Sequence, residues 1–150
     1  MRAVLQRVSR AHVEVEGKIT GEIGLGLLVL LGIEETDTED AADYLVHKIA
    51  GLRIFPDGEG RMNRSVIDAG GGLLVISQFT LYADCRKGMR PSFDRAAKSH
   101  LARELYEYFV KQARARIALV ATGVFQASMS VSLVNEGPVT IICDSARNAE

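Results

Sequence analysis

Residues 26–33 read GLLVLLGI, an apolar run too short for an isolated helix and with no charged or amide side chain to give to solvent. Such a run has strand length and is consistent with a strand covered on both faces. The segments before it have strand character too. Val4, Leu5 and Val8 open the chain, and Val13 and Val15 alternate with His12, Glu14 and Glu16. Gly17 then offers a turn into residues 19–23, a hairpin pattern.

A helix follows. Thr36, Asp37 and Thr38 can cap it, and Ala42, Leu45, Val46 and Ile49 repeat at helical spacing up to Gly51. Residues 53–55 read as a short strand before the turn Pro56-Asp57-Gly58. Gly70-Gly71-Gly72 introduces an apolar strand over 73–81 with SQFTL at its far end. In that strand Gln78 and Thr80 would face opposite to Ser77, Phe79 and Leu81. A second helix starts at the cap Ser99 and carries Leu101, Leu105 and Phe109 on one face, with Arg103, Glu104, Glu107 and Lys111 elsewhere. Met129, Val131 and Leu133 then alternate with serines 128, 130 and 132, and residues 139–143 form a last strand. The expected class is α+β: a mostly antiparallel, barrel-like sheet with two main helices, in a single domain over residues 1–150. The polar tail from Ser145 to Glu150 is expected to be disordered.

Composition excludes several functions. A 47% hydrophobic content with 25% charged residues is ordinary for a globular protein. The longest apolar run falls far short of the ~20 residues of a membrane span, and the opening lacks a secretory signal, so the expected location is cytoplasmic with no membrane partner. A net charge of −1 argues against a surface built to grip long nucleic acid; no DNA partner is expected, and any RNA contact should be local. There is no GxSxG elbow, P-loop or HExxH pair, and His12, His47 and His100 stand isolated. No metal site and no cofactor are expected. Cys85 and Cys143 form no CxxC pair and read as free thiols. The carboxylates Glu34-Glu35 and Glu39-Asp40 sit where a helix start explains them.

What remains is polar chemistry at the margin of an apolar strand. In SQFTL the amide of Gln78 and the hydroxyls of Ser77 and Thr80 either line a pocket or bond to neighbouring loops. Backbone N–H groups at such a margin can hold an oxyanion. Asn135-Glu136-Gly137-Pro138 read alone is a turn. Residues 85–98 hold Arg86, Lys87, Arg90, Arg95 and Lys98 against the single acid Asp94, either a solvated loop or a small phosphate-binding patch beside SQFTL.

SQFTL and NEGPVT, in this order and separation, resemble the D-aminoacyl-tRNA deacylases. The resemblance spans nearly the whole chain, taking in MRAVLQRVSRAHVEVEG, GLLVLLGI, LRIFPD, GMRPSF, LYEYFV and VSLVNEGPVTI. Two departures are visible: Glu136 stands where the family commonly has aspartate, and Gln126 lies where small residues are usual. The resemblance implies hydrolysis of the ester of D-aminoacyl-tRNA, with glycyl-tRNA(Ala) as a secondary substrate. It implies a homodimer in which Gly137-Pro138, as a cis peptide, enters the partner's active site and rejects L-amino acids. It places Ser77, Gln78, Phe79 and Thr80 around the aminoacyl group, Arg7 as a brace for Gly137-Pro138, and Phe125 and Met129 near the terminal adenosine. It also implies that the terminal ribose 2′-OH of the tRNA helps to activate water. That suits a chain without a Ser, Cys or His constellation; a threonine hydroxyl without a base is poorly activated, so Thr80 is read as a site residue rather than a nucleophile. Two other readings stand beside this one: an RNA-binding module without catalysis, using residues 86–98, and a small-acyl esterase working through Cys85.

Overall fold

The computed structural model describes residues 1–146. The first strand, β1 (Arg2–Val15), is the hub. It pairs antiparallel with β2 (Lys18–Ile23) through its second half and with β3 (Gly26–Gly32) through its first half. Along its other edge it pairs antiparallel with the long β8 (Ser130–Asp144). From β3 the sheet continues through β6 (Gly72–Ser77) to β7 (Val120–Thr122), and both of these pairings are parallel. Parallel neighbours need crossovers, which helices α1 (Glu39–Gly51) and α2 (Ser99–Arg114) supply. The α+β class with two helices and a barrel-like sheet holds, but the sheet is mixed. The small antiparallel pair β4 (Phe55–Pro56) and β5 (Met62–Arg64) lies apart. Strands β2 and β7, at opposite ends of the pairing order, come back into contact and nearly close the barrel.

Two cores follow from the period of two along β3 and β6. Leu27, Val29, Leu31, Leu73 and Val75 pack with Leu45, Val46 and Ile49 of α1 and Leu105 and Phe109 of α2. Leu28, Leu74 and Ile76 face the other way, onto Val8, Val13 and Ile23 inside the barrel. The apolar run 26–33 is thus covered on both faces. Burying each such leucine stabilises the fold by roughly 1.5–3 kcal/mol.

The structure corrects several local expectations. The strand expected over 73–81 stops at Ser77, and Phe79–Tyr82 forms a single 3-10 turn. The Gln78 N–H still donates to Leu31 O at 2.8 Å, but β3 ends at Gly32 and offers no further ladder. The chain therefore folds back over Gly32, where a Cβ would stand 3.0 Å from Leu81 and 3.1 Å from Gln78 O. Alternation of side chains beyond Ser77 is lost. The strand read at 53–55 lies slightly later, at β4, and β7 had no sequence sign. The two strands read around NEGP are the single β8, interrupted by a bulge: Gln6 pairs with Thr140 and Val8 with Asn135, leaving residues 136–139 opposite Arg7.

Neither helix is capped as expected. Thr38 holds the N-cap position of α1 without a side-chain cap bond, and Lys98 rather than Ser99 precedes α2. Asp37 is engaged elsewhere: its carboxylate accepts from Glu34 N and pairs with the Met1 ammonium, both groups being almost fully buried. Of the polar tail, residues 147–150 lie outside the described residues, whereas Ser145 is held. Its N–H donates to Met1 O at 2.9 Å, and its hydroxyl accepts from the Met1 amine at 2.8 Å.

Candidate active site

The end of β6 and the 3-10 turn form one wall of a cavity of about 770 Å³. Ile76, Ser77, Gln78 and Phe79 line this wall. Half-exposed Phe79 is fixed by Phe93, which meets it edge-on at 5.1 Å and 70°. The small residues Ala96, Ala97 and Ala102 leave room at the start of α2. Opposite lie Phe125, Gln126, Met129 and Val131. Phe125 is braced by the Tyr106 ring at 5.6 Å and by the Arg103 guanidinium 4.7 Å from its centroid. Tyr106 itself donates to Val75 O at 2.9 Å, and burial pushes its hydroxyl up to about 12.

The chemistry of this lining is sparse. It contains no carboxylate, histidine or cysteine, and Lys98 is its only ionic residue. Polarity comes from Ser77, Gln78, Ser99 and Gln126. The Gln78 amide donates to Thr80 Oγ1 at 2.5 Å, so the two side chains expected to share a face do meet, through the turn rather than a strand. A helical turn leaves its first N–H groups without internal partners. Among the described residues the N–H groups of Phe79, which lines the cavity, and of Thr80, next in the chain, reach no backbone carbonyl. No grouping of histidine, cysteine and carboxylate suited to a metal occurs among the described residues.

Ser77, Gln78, Phe79, Phe125 and Met129, singled out from the sequence, thus share one cavity, with Thr80 beside it. Arg7, Gly137 and Pro138 gather elsewhere. Gly137 and Pro138 belong to the β8 bulge and Arg7 lies opposite it on β1; Glu136, Gly137 and Pro138 are exposed and do not line the cavity of their own chain. The bulge is tied down firmly. Arg7 donates from Nε to Glu136 O at 3.0 Å and from Nη1 to Ile54 O at 2.6 Å. The Asn135 carboxamide accepts from Val139 N at 2.7 Å and donates to Val139 O at 3.2 Å. Gly137 has φ +135°, and the Gly137-Pro138 peptide is cis.

Sequence reasoning missed the wall formed by Phe93, Ala96, Ala97, Ser99 and Ala102; the edge-on aromatic and the run of small residues have no local signature. Gln126 was seen only as a departure. It adopts φ +65°, donates to Ser99 Oγ at 2.6 Å and accepts from Arg103 at 3.3 Å, which is where the expected capping serine is spent. Cys85 is exposed and opens onto a separate cleft with Arg2, Tyr82, Asp84, Arg86 and Arg95. In the basic stretch, Arg86 is paired with Asp84 and Arg95 with Glu34, so neither is a free cation.

The sequence profile of the D-Tyr-tRNA(Tyr) deacylase family matches residues 4–144. The chain belongs to this family. Among its relatives, the D-aminoacyl-tRNA deacylase of Koribacter versatilis (strain Ellin345) is 62% identical over 98% of this chain and 99% of its own length. That of Solibacter usitatus (strain Ellin6076) is 59% identical over 97% of this chain and 96% of its own. Two solved structures share the fold. One, named c-Myc DNA Unwinding Element Binding Protein, superposes with a TM-score of 0.92 at 42% identity, covering 97% of this chain and 99% of that one. The other, described as a probable eukaryotic D-amino acid tRNA deacylase, superposes at 0.82 over 95% of this chain and 98% of that one, with only 19% identity. Membership of the D-Tyr-tRNA(Tyr) deacylase family agrees with what SQFTL and NEGPVT indicated.

Proposed function

We propose that this protein hydrolyses the ester of D-aminoacyl-tRNA, releasing the D-amino acid and free tRNA. The observation that carries the reading is the cavity lined by Gln78 and Phe79, with unengaged N–H groups on Phe79 and the adjacent Thr80 and with Lys98 as its one ionic side chain. An aminoacyl ester is already activated, so positioning and oxyanion stabilisation are the contributions it needs. In this reading the N–H groups of Phe79 and Thr80 receive the developing oxyanion, and Gln78, held against Thr80, orients the aminoacyl group. The ribose 2′-OH of the substrate assists water, since the lining supplies no carboxylate, histidine or cysteine. Phe125 and Met129 take the terminal adenosine. Thr80 stays a site residue without a covalent role.

Chirality is assigned to the Gly137-Pro138 bulge, acting across a homodimer. A side-chain pocket discriminates at only ~1–3 kcal/mol per methylene, too little to reject every L-amino acid. A backbone wedge set against the α-carbon leaves space for hydrogen and collides with any L side chain. Its exposure on its own chain, away from that chain's cavity, fits delivery to a partner. Glycine, being achiral, passes, so glycyl-tRNA(Ala) is included as a substrate. The setting is the cytoplasm.

The test is amino acid release from D-tyrosyl-tRNA, repeated after thiol alkylation and with duplex DNA as competitor. Turnover insensitive to both is expected. Binding without release of the amino acid would leave the RNA-binding module, and loss on alkylation would move the chemistry to Cys85. Sedimentation must show a dimer; an active monomer would remove the cross-subunit wedge.

A further inference from the structure

Residues 85–91 form a loop stapled at its base. Asp84 N donates to Ser92 O at 2.7 Å and Ser92 N to Asp84 O at 3.0 Å, while Arg86 clamps Asp84 through both carboxylate oxygens. The tip beyond this staple is Lys87-Gly88-Met89-Arg90. Gly88 turns it at φ +64°, and the apolar side chain of Met89 is completely exposed. Lys87 and Arg90 are exposed and appear in no ion pair among the described residues. In a chain of net charge −1 this is a local site of positive charge with an apolar centre.

The loop is also continuous with the cavity. Phe93, one residue past the staple, is a cavity wall and holds Phe79. Met89 lies four residues before it, so the tip stands at most about 14 Å away along the chain. A stacked strand advances ~3.4 Å per nucleotide. The tip therefore comes within reach of no more than about four nucleotides behind an ester seated in the cavity. That span is the unpaired 3′ end of a tRNA, not its duplex.

We propose that Lys87, Met89 and Arg90 bind the single-stranded 3′ end of the substrate, the two cations on phosphates and Met89 against a base face. This rests on the deacylase reading and names the residues that hold its substrate outside the cavity. Base faces accept apolar partners regardless of sequence, as suits an enzyme acting on many tRNAs. Arg86 and Arg95, spent on Asp84 and Glu34, take no part.

The test compares the K87A/R90A double variant with the parent on three D-tyrosyl esters: of adenosine, of a four-nucleotide RNA ending in CCA, and of full tRNA. The nucleoside ester should be cleaved equally by both proteins. On the oligonucleotide and tRNA the variant should lose kcat/KM at low salt. Its log–log salt slope should be shallower by about 1.4, at ~0.7 per phosphate on a single strand. Between about 50 and 200 mM salt this closes a gap of roughly sevenfold. Met89→Ala should show the same substrate pattern with an unchanged slope. Equal loss on all three esters, no loss on any, or loss confined to full tRNA would overturn the proposal. If the parent cleaves none of them, the deacylase reading itself fails. Fluorescence anisotropy with the uncharged four-nucleotide RNA then still judges the tip: weaker binding by the double variant supports it, and equal binding overturns it.

Discussion

Gly137→Ala is the sharpest single perturbation of the proposed wedge. The residue sits at φ +135°, a backbone region that L side chains rarely adopt, and strain of this kind costs of order 1–3 kcal/mol. The added Cβ would also stand 3.0 Å from Arg7 Nη2 and 2.9 Å from Val139 Cγ2, so those side chains must shift. Either the bulge keeps its shape or it relaxes. If it keeps its shape the strain appears as lost stability, and at ~2 kcal/mol per M of urea the midpoint falls by about 0.5–1.5 M. If it relaxes, the Arg7–Glu136 hydrogen bond breaks and the wedge shifts from its place. Stability is then largely retained, but L-tyrosyl-tRNA becomes a substrate. Urea denaturation and hydrolysis of D- and L-tyrosyl-tRNA on one preparation separate the two cases. A variant matching the parent in both midpoint and rejection of the L-ester would refute the reasoning.

Thr80→Ala should keep most turnover on D-tyrosyl-tRNA, because the proposed oxyanion donors are backbone groups; abolished turnover with intact folding and tRNA binding would restore Thr80 as a reactive group. Asp37→Asn should cost on the order of 3 kcal/mol in urea denaturation, since it leaves the buried Met1 ammonium without its counter-charge, and an unchanged midpoint would count against that pair. Alkaline stability should reflect Tyr106 and Tyr82, whose hydroxyls are raised chiefly by burial, Tyr106 to about 12. A tyrosine with a raised folded value stabilises fully below its unfolded value near 10, and that contribution is lost as pH climbs through the folded one. Stability should therefore fall above about pH 10, and Tyr106→Phe should flatten that fall while costing about 1 kcal/mol for the bond to Val75 O. Equal slopes in both proteins would contradict this assignment. Phe125→Ala should raise KM for D-tyrosyl-tRNA more than it lowers kcat; a pure kcat effect would argue against a binding wall.

Much of this was legible in the chain because periodicity reports on packing. The spacing of Ala42, Leu45, Val46 and Ile49 marks the buried face of α1, and the apolar run 26–33 has sheet neighbours on both edges and cores on both faces. What eluded sequence reading depends on partners remote in the chain. The stop after Ser77 is set by where β3 ends, and β7 is three residues that read as strand only beside β6. Asp37 looked like a cap because its type suits one, but the Met1 ammonium claims it. At the cavity, Ser77, Gln78 and Phe79 of SQFTL form one wall, while the small residues before and within α2 that leave its room are ordinary helix formers. The bulge at 136–139 was read as a turn, since only its pairing with β1 reveals that β8 continues beyond it.

Stereochemistry at one ester is decisive. Initial rates of hydrolysis of D-tyrosyl-tRNA and L-tyrosyl-tRNA by the same enzyme sample measure it directly. The predicted ratio exceeds the roughly 200-fold that one methylene in an apolar pocket supplies. Comparable rates on the two esters would contradict it.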